Sequence, residues 1–149
     1  MANIEKIIEL RALASQYMLE DREILDKYTD KELSCIYNGI GPEAFPAWLR
    51  VIIDKLNPSL EVVALIHDVE WHETDHTDKT WRQTNARFRR NGQKVAKLKY
   101  GWWNPLRYRV MRQAYLFSKA CGTMCGKMAW NAGDKTTQLD DLIVEANQL

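Results

Sequence analysis

The segment from Leu60 to Glu70, LEVVALIHDVE, constrains the fold more than any other part of the chain. It is apolar almost all round, so the element that it forms must be covered on every side. Pro58 and Ser59 resemble a helix start, and the run is longer than the usual strand, so we predict a buried helix rather than a core strand. A chain of 149 residues is long enough for one domain to bury such a helix.

Capping signals and apolar residues at three-and-four spacing predict further helices on both sides of this segment. Thr29 and Glu32 match a capping box, and Asp78 is the predicted cap of the helix after the core helix. The predicted helices span 4–19, 30–36, 47–56, 60–70, 78–100, 106–128 and 137–147. The last long helix, 106–128, is predicted to bury Val110, Tyr115, Leu116, Ala120 and Met124. The sequence therefore predicts an all-α fold.

The predicted domain organisation is a single helical domain over residues 1–149. Residues 1–36 would form the N-terminal helices, 37–100 a loop and a core pair of antiparallel helices, and 101–149 the C-terminal helices. No internal repeat or linker interrupts this order.

Charge is strongly segregated along the chain, although the net charge is only +1. Residues 1–78 hold seven Lys or Arg against sixteen Asp or Glu, whereas residues 79–133 hold thirteen Lys or Arg and no acid. Aromatic residues are interleaved with these cations, which suits an anionic partner such as a nucleic acid or a lipid surface. The alternative is that the basic segment docks on the acidic half of its own chain. The candidate anion-binding residues are Arg82, Arg87, Arg89, Arg90, Lys94, Lys97, Lys99, Arg107, Arg109 and Arg112.

Cysteine content and hydropathy predict where the chain resides. Three cysteines are present, and Cys121 and Cys125 lie four apart in a predicted helix, so no disulfide framework is implied. No apolar run is long enough to span a membrane, and charged residues interrupt the first nineteen positions where a signal peptide would be apolar. We therefore expect a reducing, cytoplasmic compartment.

All three histidines lie between residues 67 and 76, within the acidic segment HDVEWHETDHTD. His72 and His76 are four apart and could share a zinc ion, but the expected loop and the lack of nearby cysteines favour an ordinary solvated loop. His67 and Asp68 differ because they end the apolar run, where each polar group needs a partner.

Helix geometry predicts the partner of His67. If residues 72–77 form the turn of a helix hairpin, His67 and Asn85 lie at nearly the same height on the two helices. The Asn85 amide would then reach the imidazole. We expect Trp71, Trp81 and Phe88 to wall off this pair.

Three short motifs carry a resemblance to a known family. ALIHDVEW resembles the H-D-x-x-Y helix of the phospholipase A2 superfamily, TNARF is similar to the A-D-x-x-F element on the partner helix, and YNGIG resembles the glycine-rich calcium loop. A group of phage-associated domains is also similar, with N-G-I-G-P, I-H-D and N-x-x-F in this order. The resemblance covers residues 37 to 88, about a third of the chain. It implies a phage origin, with the protein acting in the host cell or the virion.

The resemblance implies a calcium-dependent hydrolase of acyl esters such as phospholipids. His67 would be the general base and Asp68 the calcium ligand. Carbonyl oxygens of Tyr37, Gly39 and Gly41 would complete the oxygen shell that calcium prefers.

Two departures leave a second interpretation open. Asn85 stands where the family has an aspartate, so its amide can orient His67 but cannot stabilise an imidazolium, and Trp71 replaces the family's tyrosine. The alternative is a non-catalytic fold in which His67, Asp68 and Asn85 are a buried polar cluster. Such a protein would bind nucleic acid or another anionic partner through residues 79–133, or act structurally in a virion or its assembly.

Overall fold

The structure is a computed structural model that describes residues 3–37, 51, 55–73, 77–123 and 127. Within these ranges the chain forms α-helices, two short 3₁₀ helices and turns, with no strand, so the all-α prediction is confirmed. The α-helices are α1 (Ile4–Gln16), α2 (Asp30–Ile36), α3 (Glu61–Glu73), α4 (Asp78–Lys99) and α5 (Pro105–Cys121). The 3₁₀ helices are Arg22–Lys27 and Pro58–Leu60. No helix in this part of the chain is both long and apolar enough to cross a bilayer.

Helix α3 is the centre of the fold, as its apolar sequence predicts. Val62 to His67 are all buried, as are Val69 and Glu70. Helices α1, α2 and α4 pack against α3, and α4 in turn packs along α5. This arrangement places the polar end of α3 inside the protein rather than at its surface.

Local capping fixes the first two helices. The side chain of Asn3 accepts a hydrogen bond from the amide of Glu5 and starts α1. Thr29 and Glu32 form the complete capping box that the sequence predicts, and α2 begins and ends at the predicted residues.

A side-chain amide attaches the segment after α1 to α4. Asn91, which is buried in α4, donates from Nδ2 to the carbonyl of Glu20 and accepts at Oδ1 from the amide of Glu20, at 3.0 and 2.8 Å. The chain turns through left-handed backbone conformations at Met18 and Asp21, on either side of this contact. We call this pair of hydrogen bonds the Asn91 clamp.

Helices α4 and α5 approach each other closely. A Cβ at Gly92 would lie 2.4 Å from the Cβ of Ala114, so only glycine fits at this point of α4. The turn between the helices, residues 100–104, ends at Asn104, whose side chain caps α5 through the amide of Leu106.

Three predicted details of these helices are wrong. Thr77, not Asp78, caps α4, because its hydroxyl accepts from the amide of Thr80. Helix α5 ends at Cys121 rather than near residue 128. Tyr115 and Leu116 are exposed by 38% and 42%; the buried side of α5 consists of Val110, Ala114, Phe117, Ala120 and Cys121.

Several predictions lie outside the described residues. They concern Gly39, Gly41, His76, Met124, Cys125, most of the helix at 47–56 and the helix at 137–147. Of the three cysteines, Cys35 and Cys121 lie in the described ranges, and both are free thiols.

Candidate functional site

His67 and Asn85 are in contact inside the protein, as their predicted equal height on the two helices of the hairpin requires. The Nε2 atom of His67 lies 3.1 Å from Oδ1 of Asn85, and both side chains are buried. Because Oδ1 only accepts, the imidazole donates from Nε2 and its lone pair resides on Nδ1. This contact joins the end of α3 to the first half of α4.

Aromatic rings surround the imidazole on three sides. The ring centroids of Trp71, Phe88 and Phe117 lie 5.0, 5.3 and 5.7 Å from that of His67. Phe117 also stacks on Phe88, with centroids 4.3 Å apart. Trp71 and Phe88 therefore form the predicted wall, and Phe117 is a third member that the sequence reasoning missed.

Trp81 lies on the Asn85 side of this pair rather than against the imidazole. No ring contact joins it to His67; its Nε1 donates to the carbonyl of Cys121 at 3.1 Å. Trp81 therefore joins α4 to the end of α5 and lies beside Asn85 in a groove between these helices.

Burial controls the protonation of His67. Desolvation lowers its pKa to about 4, against a smaller opposite effect of the hydrogen bond to Asn85. An aspartate at position 85 would oppose desolvation with a full charge, whereas the neutral amide does not. His67 is therefore neutral near pH 7, with its lone pair on Nδ1.

The Asp68 carboxyl lies close enough to Tyr37 and Cys121 for its charge to act on both groups. Burial raises the pKa of Asp68 to about 8. Burial, and then the charge of Asp68, raise the pKa values of the Tyr37 phenol and the Cys121 thiol.

A second polar contact between α3 and α4 is ionic. Glu70 is only 3% exposed and forms an ion pair with Arg87, which also reaches Asp21 at 3.1 Å. These three residues border a groove of about 420 Å³, the acidic groove, which also includes Glu23 and Glu73.

Some cations of the basic segment, residues 79–133, pair with the acidic half of the chain, and others face solvent. Arg87 and Arg90 form ion pairs with acids of the N-terminal half, and Lys94 donates to the carbonyl of Met18 at 2.5 Å. Arg90 binds both carboxylate oxygens of Glu20. One side of α4 therefore docks on the acidic half of the chain.

The other side of α4 faces solvent together with α5. Arg107 is the one partly buried member of the remaining candidate anion-binding residues on these two helices. The others are exposed: Arg82, Arg89, Lys97 and Lys99 on α4, and Arg109 and Arg112 on α5.

A groove of about 560 Å³, the basic groove, runs between α4 and α5. Its cations are Arg82, Arg89, Lys119 and Lys127. No acidic side chain lines this groove among the described residues, although Asp78 pairs with Lys127 at 2.8 Å. Asn85 also lines it, and the Nδ2 donor of Asn85 is buried without a hydrogen-bond acceptor in the described part of the chain.

Metal-ligating residues do not cluster in the described ranges, where no group of three or more His, Cys, Asp or Glu is suitably arranged. His72 instead lies edge-on to Tyr28, with ring centroids 5.9 Å apart. Searches against family models, curated proteins and solved structures produced no match to the chain.

Proposed function

We propose that the protein is a phospholipase A2-like hydrolase that cleaves acyl esters with calcium as its cofactor. The observation that carries this proposal is the hydrogen bond between His67 and Asn85, which holds the imidazole with Nε2 protonated and leaves the basic lone pair on Nδ1. A histidine held this way can serve as general base toward a water molecule that attacks an ester.

The chain's own residues supply the base and its orientation. Trp71, Phe88 and Phe117 fix the ring and exclude solvent from its faces. Asn85 selects the tautomer, but it leaves the protonated imidazole without a counter-charge, so we expect slow turnover.

Asp68 and Tyr37 are the described residues that would hold calcium. Burial raises the pKa of Asp68 to about 8, and a bound cation would favour the ionised form, whose oxygens are the ligands that calcium prefers. The carbonyl of Tyr37 and those of Gly39 and Gly41 are the other proposed ligands. Bound calcium would polarise the ester carbonyl.

The test measures fatty acid released from phospholipid vesicles, with calcium or with a chelator. His67→Gln should abolish release because the base is lost. Asn85→Asp should raise release by about tenfold or more, since a carboxylate stabilises the imidazolium.

Asn104→Asp is the matched control, because it makes the same change at the cap of α5, where aspartate caps equally well. Thermal melts of all variants show whether they fold. Absence of calcium-dependent release from both the folded wild type and folded Asn85→Asp would exclude the hydrolase.

A second candidate function is binding of nucleic acid without catalysis, and the basic groove is the observation that favours it. Four cations surround one groove that no acidic side chain of the described residues lines, which suits a phosphate backbone. The Nδ2 donor of Asn85 and the ring of Tyr115 are further groups that such a ligand could contact.

Titration with a labelled DNA duplex at about 50 and about 200 mM salt tests this candidate, because counterion release makes such binding fall steeply with salt. Arg82→Gln with Arg89→Gln should weaken binding, whereas Lys6→Gln with Lys27→Gln, in the acidic half, should not. Flat titrations at low salt would exclude it.

A further inference from the structure

The turn between α4 and α5 carries the most exposed large apolar side chains of the described chain. Trp102 and Trp103 are exposed by 72% and 73%. Leu98 at the end of α4 and Tyr108 in the first turn of α5 are exposed by 58% and 57%. Isolated exposed apolar residues are ordinary, but two adjacent tryptophans with such neighbours indicate an interaction surface.

The turn holds these rings in place without a partner. The carbonyl of Trp102 accepts a hydrogen bond from the Tyr108 hydroxyl at 2.8 Å. The Trp103 ring packs on Gly101, where a Cβ would lie 2.6 Å from the ring. Trp102 and Trp103 meet edge to face, with centroids 6.3 Å apart. Because the surface is already ordered, binding through it costs little conformational entropy.

Cations flank the tryptophans on both helices. Lys97 and Lys99 lie in the last turn of α4, and Arg109 lies in the first turns of α5, all three exposed. No acidic residue occurs between residues 79 and 133. The surface is therefore positive around an apolar centre.

We propose that this tip, Leu98 to Arg109, docks on an anionic lipid bilayer. Tryptophan prefers the boundary between acyl chains and headgroups, where the ring is apolar and the indole N–H stays hydrated. Lysine and arginine beside it reach anionic headgroups while their aliphatic stems cover apolar surface. The tip is an exposed turn at the end of two helices, which a bilayer can meet, whereas the basic groove lies between the helices. This proposal does not depend on the hydrolase proposal, since it uses none of the same residues.

The test uses vesicles of phosphatidylcholine alone and vesicles in which part of it is replaced by phosphatidylglycerol. We expect cosedimentation with the anionic vesicles and a blue shift of tryptophan emission, both weaker with phosphatidylcholine alone. Trp102→Ala with Trp103→Ala should weaken binding by about tenfold or more, because each ring removes a large apolar area. Ile8 is also an exposed apolar residue, but it lies in the acidic half of the chain, so Ile8→Ala should leave binding unchanged.

Charge is tested separately at the two ends of α4. Lys97→Gln with Lys99→Gln should weaken binding to anionic vesicles about tenfold, since each removed cation acts near the membrane surface. Lys79→Gln removes an exposed charge at the opposite end of the helix, about 27 Å from Lys97, and should have little effect.

Three results would overturn the proposal. The first is equal vesicle binding by wild type and a folded Trp102→Ala, Trp103→Ala variant. The second is no binding to anionic vesicles while a DNA duplex quenches the emission, which would assign the tip to nucleic acid. The third is concentration-dependent self-association abolished by the same variant, with no lipid binding, which would assign the tip to a second copy of the chain.

Discussion

His67 and Glu70 lie three residues apart on α3 and each contacts a side chain of α4, but the first contact is neutral and the second is ionic. His67 bonds to an amide, that of Asn85, and burial keeps its pKa at about 4. Glu70 is equally buried and pairs with the guanidinium of Arg87. One helix interface therefore contains two different ways of burying a titratable group.

The surroundings explain the difference. Aromatic rings enclose the imidazole, where a charge would be costly. Arg87 instead borders the open acidic groove and reaches a second acid, Asp21, so its charge remains partly hydrated. A candidate base is thus held neutral beside an ion pair that joins α3, α4 and the N-terminal segment.

The largest expected effect comes from opening the aromatic enclosure. Phe117→Ala should lower the free energy of unfolding by about 4 kcal/mol, because it removes a buried ring and leaves a cavity against Phe88 and His67. Urea denaturation measures this change. Leu116→Ala, at the neighbouring exposed residue, should cost less than about 1 kcal/mol. Equal costs would mean that the buried side of α5 is misassigned.

Removing the cation from the ionic contact should cost slightly less. Arg87→Ala should lower the free energy of unfolding by about 3 kcal/mol, because Glu70 is left as an unpaired buried carboxylate. Adding Glu70→Gln should restore part of the loss, and a double-mutant cycle measures the coupling. Additive losses would show that the two residues do not interact.

The contact of neutral His67 with Asn85 should make the free energy of unfolding depend on pH. The folded pKa of His67, about 4, lies below the ordinary value of 6.5, so its stabilisation is complete above pH 6.5 and is lost as pH falls toward 4. Relative to His67→Gln, wild type should lose about 2 to 3 kcal/mol between about pH 7.5 and about pH 4.5. Denaturant titrations at both pH values check this. Parallel pH profiles of the two proteins would contradict a buried neutral imidazole.

The smallest effect is expected at the surface. Arg90 is half exposed and pairs with Glu20, so Arg90→Ala should cost at most about 1 kcal/mol, less at high salt. Denaturation at low and high salt measures the difference. A loss as large as that of Arg87→Ala would show that exposure does not separate these two ion pairs.

Local signals predicted the fold where a few neighbouring residues decide it. The capping box of Thr29 and Glu32 gives the start of α2 correctly, because the hydrogen bonds that it needs lie within one turn. The contact of His67 with Asn85 was also predictable, since helix rise and a short connection fix which residues lie at one height.

Sequence reasoning assigned the buried side of α5 wrongly, because apolar residues lie on two sides of this helix. Tyr115 and Leu116 were predicted as buried because they are large and apolar, whereas Phe117 continues the four-three-four spacing of the true buried side. Tyr115 instead carries the guanidinium of Arg89 over its ring, 4.8 Å from the centroid. The pairing of Arg87 with Glu70 depends on long side chains and tertiary packing, which spacing alone does not reveal.

The Asn91 clamp has a consequence for the order of folding. It joins residues 71 positions apart, so forming it closes a long loop whose entropy must be lost before the two hydrogen bonds form. The contacts between α4 and α5 close a much shorter loop and should form earlier. We therefore expect the N-terminal segment to be the last part of the described chain to dock and the first to detach. Asn91→Ala, which removes the clamp, should then accelerate unfolding and leave the folding rate nearly unchanged.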